Sequence, residues 1–104
     1  MSQFDAGLLV DFVDQSATNR RLNSRELVFV RLGEDIYVLD DRCSHEEFPL
    51  SLGEVNADEC LIECERHGAM FHLKDGTPAS LPATKPVATY DVTMRDGHVW
   101  VEMS

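Results

Sequence analysis

Apolar residues in this chain come in short runs or at alternate positions, and the runs are closed by Gly, Asn, Asp or Pro, which is the rhythm of a sheet protein. Residues 8 to 14 (LLVDFVD) open apolar and then alternate, predicting a first strand with Val10 and Phe12 on one face. Gln15 to Ser24, with two Asn and Arg20-Arg21, reads as a loop. Glu26 to Leu32 and Ile36 to Leu39 are rich in Val, Phe, Tyr and Ile and flank Gly33-Glu34-Asp35, so they predict a hairpin. A short strand near Glu54-Val55 and another from Glu59 to Cys64 flank the turn Asn56-Ala57-Asp58. Gly68 to Leu73 returns as a strand and ends in Lys74-Asp75-Gly76.

Thr77 to Pro86 holds three prolines in ten residues, too many for a continuous ladder, and is expected to run irregularly over the surface. Ala88 to Arg95 and His98 to Met103 pair across Asp96-Gly97, a strong two-residue hairpin signal. No stretch has the period of a helix. The expected architecture is all-β, an antiparallel sandwich or open barrel with two loops projecting from one end.

Length and charge narrow the picture. At 104 residues the chain supports one core, so residues 1–104 form a single domain. Nine Lys plus Arg stand against 19 Asp plus Glu, a formal net charge of -10, which argues against nucleic acid or an anionic membrane as partner and favours a basic protein face. The opening MSQFDAGLLVDFVDQ fits neither a signal peptide nor a membrane anchor. Three cysteines, an odd number, suit a reducing compartment where thiols serve as ligands, so a cytoplasmic location is expected.

Candidate chemistry lies in the two loops. Cys43-Ser44-His45 and Cys64-Glu65-Arg66-His67-Gly68 each offer one thiol and one imidazole, a pattern that coincidence explains poorly. Structural zinc remains open, although Cys43 and His45 are separated by Ser44 alone, closer than the usual zinc pairs. A two-iron, two-sulfide cluster with two thiolates on one iron and two imidazoles on the other also suits two loops that grip from both sides.

Cys-X-His, eighteen residues, then Cys-X-X-His-Gly closely resembles the Rieske iron-sulfur family, and the resemblance extends to the proline segment and more loosely to all the strands. It implies a Rieske-like β-sandwich or open barrel in which loops at about 42–50 and 64–70 form a cluster-binding subdomain, beside a Pro-rich loop at about 77–86. It also implies one [2Fe-2S] cluster per chain, with Cys43 and Cys64 on the buried iron and His45 and His67 on the outer one. With neutral imidazoles the oxidised site is neutral, and one electron makes it singly negative. With no open coordination position left, the family reading is an electron carrier and not an enzyme.

Within the family the chain lacks the extra cysteine pair of respiratory members and the length of an oxygenase catalytic domain, so it resembles the freestanding ferredoxins. Those take electrons from a flavin-dependent reductase and pass them to a terminal oxygenase, here through basic docking faces and as a monomer. High-potential members carry a Ser and a Tyr where this chain has Ala69 and Phe71, so a low potential is expected. Alternatives are an accessory to iron-sulfur cluster assembly, a module like the small subunit of nitrite reductase, and a zinc-stapled binding module.

Of the remaining residues, Cys60 is expected to be a buried inert thiol on the face of Ile62 and Cys64, and His72 and His98 ordinary strand histidines. Phe48, Pro49, Leu50 and the segment Leu81-Pro82-Ala83 are candidates for an apolar wall, with Pro82 the best match to a covering proline and Pro78 the second. Glu46, Glu47, Glu65 and Asp41 lie near the ligands and are expected to steer a basic partner.

Overall fold

Leu27-Val28-Phe29-Val30 is a continuous apolar run in a strand, and such a run is satisfied only when both faces are covered. The computed structural model, which describes residues 2–42, 49–64, 68–79 and 85–103, shows that arrangement. The run lies in β3 (Arg25–Leu32), and all four side chains are fully buried. Leu27 and Phe29 point into one core, Val28 and Val30 into another.

The strand sits in a four-stranded antiparallel sheet of order β2-β3-β4-β8, formed by Ser16–Leu22, β3, Asp35–Asp40 and Thr89–Tyr90. One face packs on a three-stranded sheet β1-β10-β9, from Ser2–Leu8, His98–Met103 and Val92–Arg95. Ala6, Phe12, Leu27, Phe29, Val38, Val99 and Val101 fill the space between them. The other face meets Leu50, Ile62, Cys64, Ala69, Phe71 and Leu73, from the third sheet, β5-β6-β7 (Glu54–Asn56, Leu61–Glu63, Met70–His72), and the chain next to it. Burying these side chains contributes about 2 kcal/mol each before the entropy of ordering is charged against it.

The hairpins expected across Gly33 and Asp96-Gly97 form in register, and the strands expected from Glu59 to Cys64 and from Gly68 to Leu73 form over the shorter spans Leu61–Glu63 and Met70–His72, since Cys60 and Gly68 take left-handed turn conformations. Two expectations at the start of the chain fail. The first strand is Ser2–Leu8, not residues 8 to 14, because Leu9–Asp11 closes into a 3-10 turn that leaves Val10 and Val13 outside. Gln15 to Ser24 is not a loop: Ser16–Leu22 pairs with β3 at seven consecutive positions, and Asn23 and Ser24, with φ of 50° and 64°, make the two-residue turn between them.

At the other end, the expected strand Ala88 to Arg95 is interrupted at Asp91. Its first part pairs with β4 and its second with β10, so this segment crosses between sheets. Pro78 makes one isolated bridge to Phe71. No helix among the described residues is long and apolar enough to cross a membrane.

Candidate metal centre

Three loops leave this framework, and the described residues define where each is closed. The first follows β4, where the Asp40 amide donates to Ala88 O and the Asp41 amide to Glu26 O. Its far end is the 3-10 turn Leu50–Leu52. The Asp41 carboxylate joins the two ends, accepting the Ser51 amide on Oδ1 at 2.6 Å and the Ser51 hydroxyl on Oδ2 at 2.6 Å. Asn19 Nδ2, on β2, donates to the same Oδ2.

The second loop spans β6 and β7. Glu63 and Met70 make the last ladder pair, after which the Cys64 amide donates to Ala69 O at 2.6 Å and the Gly68 amide to Cys64 O at 2.9 Å. Gly68 has φ +71°, a left-handed conformation that glycine adopts without steric cost and that lets the chain reverse within a few residues. The third loop is the proline segment, closed where the Val87 amide donates to Gly76 O at 2.8 Å. The Ala79 amide donates to Met70 O, which lays the start of this segment beside the return strand of the second.

All three bases rest on one core. Leu50 from the first, Cys64 and Ala69 from the second and Val87 from the third are buried together over Val28, Val30 and Leu39. Contact between the first two is close, since a Cβ built on Gly53 would lie 1.6 Å from Glu63 O. The exit of the first loop therefore presses on the end of β6, next to Cys64.

Of the expected ligands, Cys64 is placed. Its side chain is fully buried, and it is not in a disulfide. Cys43, His45 and His67 lie outside the described residues, as do Phe48, Glu46, Glu47, Glu65, Leu81, Pro82 and Ala83. A buried thiol at a clamped loop base, sharing one core with Leu50 of the other loop, is a suitable donor for an iron-sulfur group, and the described residues fit one. Leu50 joins the apolar wall as expected, whereas Pro49 is exposed and Pro78 half-buried.

Asp41 is not among the solvated acids. It is 8 % exposed, and its oxygens are taken up by Ser51 and Asn19, so it closes a loop and does not face a partner. That role escaped sequence reading because its partners are 10 and 22 residues away. Cys60 packs against the core but is half-buried and not buried as expected, because it lies in a turn with φ 58° and not on the strand face of Ile62 and Cys64. Burial first and the Cys60 contact second raise the pKa of the Tyr37 hydroxyl. His72 is exposed, and His98 Nδ1 lies 3.1 Å from Asp5 Oδ2. The carboxyl of Asp5 is held below its usual value by the Gly7 amide first and by His98 second.

Comparison with known proteins agrees with this geometry. The model of the Rieske [2Fe-2S] domain matches residues 5–91. Ferredoxin CarAc of Metapseudomonas resinovorans is 37% identical over 90 residues, covering 84% of this chain and 82% of the relative. The ferredoxin of carbazole 1,9a-dioxygenase from Nocardioides aromaticivorans IC177 superposes with a TM-score of 0.93 at 29% identity, over 97% of each chain. A ferredoxin solved in complex with the reduced oxygenase of carbazole 1,9a-dioxygenase superposes at 0.86 with 29% identity, over 95% of this chain and 91% of that one. With three loop bases buried over one core of a three-sheet framework and this agreement across nearly the whole length, the chain belongs to the Rieske [2Fe-2S] domain family, as an electron-carrying ferredoxin and not a catalytic enzyme.

Proposed function

We propose that this ferredoxin takes single electrons from a flavin-dependent reductase and delivers them to a terminal oxygenase, with its cluster held by Cys43, His45, Cys64 and His67. The observation that carries the reading is the convergence of the two ligand-bearing loops on one buried core, with the Cys64 thiol at the junction. The similar ferredoxin solved against its oxygenase supports the choice of acceptor.

When bound, the cluster supplies a site that gains and loses one electron. The protein's own residues set the conditions. Leu50, Ala69 and Phe71 are fully buried and exclude water from the Cys64 side. Neither Ala69 nor Phe71 carries a hydroxyl that could donate to a cluster sulfur, so the added electron lacks that stabilisation and the potential is low. Glu46, Glu47 and Glu65 neighbour the ligands in sequence and, within a net charge of -10, suit basic docking faces on both partners. The working compartment is the cytoplasm and the working form a monomer.

Anaerobic purification tests the reading. A coloured protein with two irons and two sulfides per chain is expected, and its reduced form should give the low average g value of a Rieske centre in electron paramagnetic resonance. Cys64→Ser and His67→Ala should each abolish that signal. Redox titration should place the midpoint in the lower part of the range of about -150 to +300 mV. A colourless protein carrying zinc would overturn the assignment.

A further inference from the structure

Asp41 is the acid nearest the first ligand loop that the structure describes, and its carboxylate is turned inward. It accepts from the Ser51 amide, the Ser51 hydroxyl and Asn19 Nδ2, so one carboxylate ties together the start of the loop, its end and a neighbouring strand. Cys43 follows Asp41 by two residues and His45 by four. The contact continues past Ser51: two residues on, Gly53 is pressed against Glu63 O, and Glu63 precedes Cys64.

A buried carboxylate loses hydration, and closing a loop with apolar side chains would avoid that loss. What a carboxylate with three donors adds is direction, because each bond fixes an angle as well as a distance. Asn19 fixes the carboxylate in turn, since it sits within the complete β2–β3 ladder. In metal sites, partners behind the ligands orient them, and losing one typically costs about 10- to 100-fold in metal affinity.

We infer that Asp41 is a positioning residue for the cluster, fixing the loop that carries Cys43 and His45 against the loop that starts at Cys64. This rests on the ligand set proposed above. Asp41 acts through Ser51 and Asn19 and touches no partner protein.

The test uses the cluster-loaded protein and the variants D41A, D41N and S51A. Four quantities are read: the rate of bleaching by a ferrous-iron chelator, the g values of the reduced protein, the thermal midpoint, and the salt dependence of the rate of reduction. D41A should bleach about tenfold faster or more, with shifted or broadened g values. D41N should stay near the wild type, because its amide oxygen still accepts from the Ser51 amide while its NH2 donates to Ser51 Oγ and to an Asn19 amide turned over. S51A should lie between them, which keeps the inference testable if D41A does not fold.

Wild-type bleaching and g values in D41A, or in S51A should D41A not fold, would overturn the inference even if the thermal midpoint drops. So would a D41N that bleaches normally yet loses part of the salt dependence of its reduction, the behaviour of a docking charge. A wild-type protein without the cluster spectrum removes the ligand set and this inference together. A normal wild-type spectrum with an indifferent D41A removes this inference alone.

Discussion

Gly53 shows how a single residue sets the spacing of the centre. Its missing Cβ would lie 1.6 Å from Glu63 O, a backbone atom that cannot swing aside. Gly53→Ala must therefore push the exit of the first loop away from β6. We expect the substitution to cost about 3 kcal/mol, read as a lowered urea midpoint, and to speed cluster loss as the loops separate. Ala69 and Phe71 lie at the same scale: that they lack a hydroxyl could be read directly from the chain, and the structure adds that both are fully buried. The roles of Gly53 and Asp41 could not, because each depends on an atom contributed by a distant segment.

Among the elements, local pattern misjudges β1, β2 and β8, and the last two show why. The polar residues of β2 look like a loop, yet Arg20 lies 4.4 Å over the Phe12 ring and donates to Ala6 O, and Asn19 holds Asp41, so these side chains join elements together. β8 is a two-residue strand whose attachment to β4 is reinforced by a hydrogen bond of 2.6 Å from the Tyr90 hydroxyl to Asp40 Oδ1. Burial first and Asp40 second raise the pKa of Tyr90. A raised tyrosine contributes stability that is fully present below the ordinary value of 10.0 and is lost as pH rises through the folded-state value. Tyr90→Phe should thus lower stability by about 1.5 kcal/mol at neutral pH. Urea melts at rising alkalinity should then show the gap to the wild type closing above pH 10.0, and a constant gap would count against the bond.

For the whole molecule, the middle sheet divides two cores, one completed by β1-β10-β9 and the other by β5-β6-β7, the sheet from which the loop after Cys64 leaves. The bases of the three loops thereby rest on the core that the middle sheet shares with the third. The charge of -10 acts over the same scale, since the fields of many acids add at the surface that a partner approaches. Reduction by a flavin-dependent reductase should slow as ionic strength rises through about 0.1 M, where the Debye length falls to about 10 Å. A stopped-flow rate indifferent to salt would remove electrostatic steering from the account.

What the chain determined by itself was whatever depends on neighbours in sequence: the hairpins at Gly33 and at Asp96-Gly97, the fully apolar run in β3, and the Cys-X-His and Cys-X-X-His-Gly pattern that resembles the family whose domain model matches residues 5–91. Those signals are local because a turn, a strand face and a metal-binding tip each need only a few consecutive residues. Only the tertiary structure decided that Ser16–Leu22 is a strand, that residues 88–95 are shared between two sheets, and that Asp41 faces inward. For Asp41 and for the first part of residues 88–95 the deciding hydrogen bonds come from ten or more residues away. By contrast, β2 is missed because its polar residues carry no strand signal, although its partner β3 follows after a two-residue turn.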